Sequence, residues 1–138
     1  AMVGRAVDFW PQLGQVLHAL VPMLRVPDVP AALAWYREVL GFRSDEDGST
    51  GWATLQRDGI ALMLSAFNAH EGDAAPAFTG SLYLRCDDVD GWWSRLQGAA
   101  RVCYPIEDFA YGMREFAIYD CNGFLLQFGQ PIAREAAP

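Results

Sequence analysis

The sequence predicts an α+β fold made of two similar units, each running strand–helix–strand–strand–strand. Their strands would form a curved mixed sheet with helices on the outer face and a cleft on the open one. Three observations carry this prediction. The first is an internal repeat: Leu24-Arg25-Val26-Pro27-Asp28-Val29 matches Leu84-Arg85-Cys86-Asp87-Asp88-Val89 at an offset of 60 residues. The second is that each copy precedes a Trp-containing helical segment. The third is that each helix leads through a loop to a hairpin, turning at Asp58-Gly59 in the first half and Asn122-Gly123 in the second. A sheet backed by a helix on one face must set its other face against something. A curved sheet enclosing a ligand, within one chain or between two, is the simplest solution.

The elements follow in order. Leu13, Val16, Leu17 and Leu20 recur at helical spacing behind Pro11, which predicts a short N-terminal helix over 11–20. Residues 22–26 form a strand. PDVPAALAWYREVLGF is the clearest helix, with Val29, Leu33, Tyr36 and Leu40 as one apolar stripe, Pro30 near its start and Gly41 just past its end. Acidic SDEDGSTG (44–51) is a loop. Strands over 52–56 and 60–66 flank Arg57-Asp58-Gly59. Residues 68–80 carry small residues, Pro and Gly and form a loop. A strand over 81–86 leads to a second helix introduced by Asp88, carrying Trp92, Trp93 and Leu96 and ending near Gly98. A short strand over 101–104 precedes a loop with Glu107 and Asp108. Strands over 115–119 and 124–128 close the chain. The expected organisation is an extension over 1–19, a domain over 20–130 with modules 20–67 and 80–130, and a frayed tail over 131–138.

Composition narrows the function. One domain, or two very small ones, is expected of 138 residues, and a chain of this length can bury a proper core. Ten Lys and Arg against seventeen Asp and Glu give a formal net charge of −7. That balance disfavours nucleic acid and anionic membranes and favours cationic or neutral ligands, although such a charge also serves solubility alone. No run of about 20 apolar residues suits a membrane helix, and Asp8 and Pro11 interrupt the pattern a secretory signal needs. Cys86, Cys103 and Cys121 are odd in number and lack CxxC spacing, which fits reduced thiols in the cytoplasm.

Strand parity separates the two faces of the sheet. If Leu24, Val26, Ala53, Leu55, Leu62 and Leu64 face a helix, then Arg25, Trp52, Thr54, Gln56, Ala61, Met63 and Ser65 face the cleft, with Val21 or Met23. In the second half Leu82, Leu84, Cys86, Phe116, Ile118, Leu126 and Phe128 pack. Ser81, Tyr83, Arg85, Glu115, Ala117, Leu125 and Gln127 then point inward. Such a lining suits a planar, partly polar molecule, with aromatic stacking and cation–π attraction available. The same residues could instead fill a barrel interior, and Arg25, Arg85 and Glu115 could pair with one another. His18 and His70 have no second metal ligand at suitable spacing, Ser81 has no visible base, and Glu115 or Glu107 would be a lone general base. Asp45-Glu46-Asp47 fits either a solvated face or a cation-attracting rim. Trp92 and Trp93 suit the core and a subunit contact.

LRVPDVPAALAWYREVLGF and YGMREFAIYDCNGFLLQFGQ closely resemble the two halves of the vicinal oxygen chelate superfamily, which includes glyoxalase I, extradiol dioxygenases, fosfomycin resistance enzymes and bleomycin resistance proteins. The resemblance covers about residues 20–130 and implies paired βαβββ modules. The enzymes of that superfamily hold a divalent metal at four strand positions, which fall here on Val21, Met63, Ser81 and Gln127. Val and Met are not hard-cation ligands, and neutral Ser and Gln are poor ones. What remains is similar to the bleomycin resistance branch, whose dimers sequester a flat cationic antibiotic between subunits without metal or reaction. Trp52 falls on an aromatic position of that branch, and Tyr111 on one that usually carries Trp. The expectation is therefore a metal-free homodimer without cofactor, binding a planar or cationic small molecule through Trp52, Tyr111, Tyr83, Met63, Ser81, Glu115, Gln127, Thr54 and Arg25, with no catalytic residue. The alternative is a lyase, isomerase or dioxygenase with a non-standard or absent metal site.

Overall fold

A computed structural model of the chain describes residues 16–67 and 76–133. The first module holds β1 (Met23–Arg25), α1 (Val29–Leu40), β2 (Trp52–Arg57) and β3 (Ile60–Ser65). The second holds β4 (Ser81–Arg85), α2 (Val89–Leu96), β5 (Arg101–Asp108), β6 (Met113–Tyr119) and β7 (Leu125–Pro131). The sheets are ordered β1-β3-β2 and β4-β7-β6-β5. In each, the first strand runs parallel to the last, while the hairpin strands pair antiparallel. The repeat seen in the sequence is thus a repeat of topology.

The helices begin and end as their sequences dictate. Asp28 caps α1 by accepting from Ala31 N at 2.9 Å, and Pro occupies its first turn, where no N–H partner is needed. Gly41 ends it at φ +73, a conformation that glycine takes without a Cβ penalty. Asp88 caps α2 through Gly91 N. Val29, Leu33, Tyr36 and Leu40 are all buried, as their stripe predicted. They join Leu24, Leu55 and Leu64 from the first sheet and Phe116, Ile118, Leu126 and Phe128 from the second in one core. Each such side chain contributes about 1.5–3 kcal/mol on burial, so the two modules are stabilised jointly. A polar clamp joins them too. Tyr36 Oη donates to Asp120 Oδ2 at 2.6 Å, while Asp120 Oδ1 accepts from Asn122 N and Phe124 N at 2.8 and 2.9 Å. Trp92 lies within 4.6 Å of the Arg57 guanidinium and 4.4 Å of that of Arg95, and Trp93 packs on Phe116.

Several expectations need correction. Residues 16–20 are exposed and not helical; the rest of the expected N-terminal helix lies outside the described residues. The first module has only three strands, because the place of the fourth is taken by a single bridge from Arg43 to Gln56. Glu46 finishes the exposed edge of β2 by accepting from Thr54 N at 2.7 Å, so the acidic loop has a structural task. In the second module β5 runs to Asp108, and Glu107 and Asp108 are strand residues opposite Glu115 and Arg114. The strand runs through Pro105 because β5 lies at the sheet edge, where a missing N–H is tolerated. β7 continues to Pro131, and Ile132 N donates to Gly112 O at 3.0 Å, so the first residues of the expected tail are held. Residues 134–138 and most of the 68–80 loop, His70 included, lie outside the described residues. No helix among the described residues is long and apolar enough to cross a membrane.

Candidate functional site

Strand register places the nine predicted site residues in two groups. On the first sheet, Met23, Met63 and Thr54 form one row across β1, β3 and β2, and Arg25, Ser65 and Trp52 form the next. On the second sheet, Tyr83, Gln127, Ala117 and Tyr104 form a row, followed by Arg85, Gly129, Glu115 and Glu107. Each row lies on the face opposite its helix, because the alternate residues belong to the core. Trp52, Met63, Thr54 and Arg25 therefore share one open face, and Tyr83, Ser81, Glu115 and Gln127 share the other. Tyr111 stands at the turn between β5 and β6, close to the second group. The two halves place different chemistry at matching points: Trp52 occupies on the first sheet the position that Glu115 occupies on the second.

The open face of the first sheet mixes thioethers, an indole and hydroxyls with the Arg25 side chain and is partly uncovered: Met23 is 46% exposed and Trp52 38%. That of the second is a continuous hydrogen-bond chain. Ser81 Oγ donates to Gln127 Oε1 at 2.5 Å, Gln127 Nε2 donates to Tyr104 Oη at 2.9 Å, and Tyr104 Oη donates to Glu115 Oε2. Tyr83 Oη donates to the other carboxylate oxygen, Oε1, at 2.8 Å. Phe109 packs edge-on against Tyr104 and stacks on Tyr111 at 5.4 Å. Glu115 is 1% exposed, whereas Tyr83 and Tyr111 are 41% and 65% exposed. A buried carboxylate is thus covered by phenols whose rings reach solvent.

Charge follows from that arrangement. Burial alone would push the Glu115 carboxyl up, but hydrogen bonds from Tyr104, Tyr83 and Tyr111 outweigh it and hold the group below the ordinary value. The phenols move the opposite way, because burial and the neighbouring carboxylate both disfavour a phenolate. Tyr104 is pushed up to about 12, and Tyr83 is also raised. At neutral pH the cluster carries one negative charge, on a carboxylate held by neutral phenols. Glu115 is paired with phenols, so the alternative of a Glu115–arginine network is not what forms.

The residues at the superfamily's metal positions do not fit a divalent metal. Val21 and Met63 offer no oxygen donor, and Ser81 and Gln127 hydrogen-bond each other. Among the described residues, no group of three or more His, Cys, Asp or Glu is placed to hold a metal ion.

Sequence reasoning missed three contributors: Tyr104, Phe109 and Gly129. Simple alternation puts Tyr104 on the same face as Val102, on the helix side. Register shifts in β5 place Tyr104 opposite Ala117, on the open face. A bulge of this kind leaves no clear mark in one sequence. Gly129 could have been noticed as a glycine inside a strand, which often marks a close approach.

A family model described as Glyoxalase/Bleomycin resistance protein/Dioxygenase superfamily matches residues 12–128. No curated protein matches the sequence. Among solved structures, a bleomycin resistance determinant encoded on the transposon Tn5 is 27% identical, with a TM-score of 0.65 over 83% of this chain and 98% of that one. A bleomycin-binding protein from Streptomyces verticillus, complexed with copper(II)-bleomycin, is 24% identical, with a TM-score of 0.60 over 86% and 98%. A lactoylglutathione lyase from Agrobacterium tumefaciens is 20% identical, with a TM-score of 0.62 over 83% and 94%. The last two similarities concern the fold. With the family model covering most of the chain, and with the full βαβββ order in the second module and its three-strand counterpart in the first, the chain belongs to the glyoxalase/bleomycin resistance protein/dioxygenase superfamily.

Proposed function

We propose that the protein binds a planar or cationic small molecule and acts by sequestration, in the manner of bleomycin resistance proteins. The observation that carries this reading is the pair of open faces. One presents Trp52 beside Met63 and Met23, and the other presents Tyr83 and Tyr111 over the Glu115 carboxylate. A flat cation can stack on the first and be neutralised at the second, with roughly 1 kcal/mol for each stacked ring beyond burial. The net charge of −7 draws such a ligand in.

The helix-covered faces of both sheets share one core, although Leu62, Leu82 and Leu84 on that side also line an open cavity; the opposite faces carry the candidate site residues and are the ones we assign to a partner. A homodimer that sets the first face of one copy against the second face of the other would close two equivalent clefts. The donor set at Val21, Met63, Ser81 and Gln127 supports binding without metal chemistry. An enzymatic reading would rest on Glu115 as base, but both its oxygens accept phenol protons and its proton affinity is lowered, which makes it a poor one.

Calorimetric titration with bleomycin and other planar cationic antibiotics tests the proposal. Saturable heat with at least one of them is expected, with sedimentation showing a dimer. Absence of heat with every compound would remove the ligand-binding reading. A stoichiometric transition metal in protein purified without chelator would move the case toward the enzyme alternative.

A further inference from the structure

Tyr83 and Glu115 stand on β4 and β6, which flank β7. Two sheet spacings separate them, about 9–10 Å between backbones. The phenol can reach the carboxylate only by lying across the intervening strand. The residue beneath it is Gly129, register partner of both Arg85 and Glu115. A Cβ on Gly129 would stand 2.0 Å from Tyr83 Oη, 2.7 Å from Cζ and 3.0 Å from Cε1. The phenol oxygen and two atoms of the rigid ring are all too close, so the whole phenol has to move to relieve the clash.

We propose that Gly129 is a positioning residue of this face: its missing side chain seats the Tyr83 phenol across β7 onto Glu115, so that a bound cation meets tyrosine rings and phenol oxygens in place of a bare carboxylate. The inference deepens the ligand-binding reading by naming what sets the character of the anionic half of the site. Every element around the carboxylate bears on it. β4 supplies Tyr83 and Arg85, β5 supplies Tyr104 and Glu107, the β5–β6 turn supplies Tyr111, and β7 supplies Gln127 and the gap at Gly129. With a side chain at 129, Tyr83 must swing away, and Glu115 keeps only the phenols of the β5 side.

The test follows the Glu115 carboxyl by carbon NMR as pH is varied, in full-length protein without ligand. Gly129→Ala is expected to raise the Glu115 midpoint as far as Tyr83→Phe does. On a Tyr83→Ala background, Gly129→Ala is expected to change nothing, because the two act through one contact. An unchanged midpoint in Gly129→Ala, or a further shift on the Tyr83→Ala background, would overturn the proposal. If Gly129→Ala does not fold, the Gly129→Ala/Tyr83→Ala protein must fold, since the clashing ring is gone; its failure would overturn the proposal equally. No ligand enters the titration, so failure of drug binding in the calorimeter and failure of this coupling are separate results.

Discussion

The two modules share a topology but not a surface chemistry. Both run a parallel first and last strand beside an antiparallel hairpin, and both turn an apolar row toward the helices, buried in the first sheet and only partly so at Leu82 and Leu84 of the second. On the opposite faces they diverge. The first module offers sulfur, hydroxyls, an indole and the Arg25 side chain, with the Glu46 side chain closing its outer strand where a fourth strand would lie. The second has a full fourth strand, and Tyr104 on it completes the chain of hydrogen bonds that ends on Glu115. The core therefore defines the scaffold, while the open faces are free to differ, one presenting a half-exposed indole and the other a buried charge under phenols.

Substitutions can break this comparison at its joint and then at its two matched points. The largest effect is expected at the joint. Asp120→Ala strands the buried Tyr36 hydroxyl and two backbone N–H groups, at a cost of about 3 kcal/mol or more. Chemical denaturation should show a single cooperative transition moved to lower denaturant. Glu115→Ala comes next, at about 1–2 kcal/mol, because Tyr83 and Tyr104 lose their acceptor but stand near solvent. Trp52→Ala, at the matching point of the first sheet, should change stability by less than about 1 kcal/mol, since that ring is already partly in water. It should weaken ligand binding about tenfold by calorimetry, the worth of a stacked ring. Equal stability losses at Trp52 and Glu115 would show that the two faces do not differ in the way described.

The smallest effect is a pH dependence confined to the second module. Glu115 has its midpoint lowered in the folded protein, so its contribution is present above the ordinary value of 4.5 and is lost as pH falls through the folded midpoint. Tyr104 is raised, so its contribution is present below the ordinary 10.0 and is lost as pH rises through about 12. Denaturation midpoints should therefore decline on both sides of that window. Glu115→Gln should flatten the acid limb, while Trp52→Ala should leave both limbs unchanged.

Much of this was legible in the sequence because periodicity and punctuation are local. The stripe from Val29 to Leu40, its Asp28 and Gly41 ends, and the hairpins at Asp58-Gly59 and Asn122-Gly123 are each written within a few residues. Parity then sorted Trp52, Thr54 and Met63 onto one face and Tyr83, Glu115 and Gln127 onto another. It failed where structure depends on a partner strand. The bulge that turns Tyr104 outward and the edge position that lets β5 run through Pro105 are properties of pairing. The passage of Tyr83 over Gly129 joins residues 46 positions apart. The helical spacing at Val16, Leu17 and Leu20 did not make residues 16–20 helical: among the described residues these side chains are exposed, and a short segment without a buried face gains little from the helical state.

Subunit mixing tests the shared cleft most directly. Trp52→Ala and Glu115→Ala proteins are each expected to bind bleomycin weakly. Unfolded together and refolded at equal concentration, they should form mixed dimers in which one cleft holds both an intact Trp52 and an intact Glu115. Recovery of tight binding, at about one site for each mixed dimer, is the expected result. Titrations that stay as weak as those of the separate variants, although mixed dimers have formed, would contradict a cleft assembled from two copies.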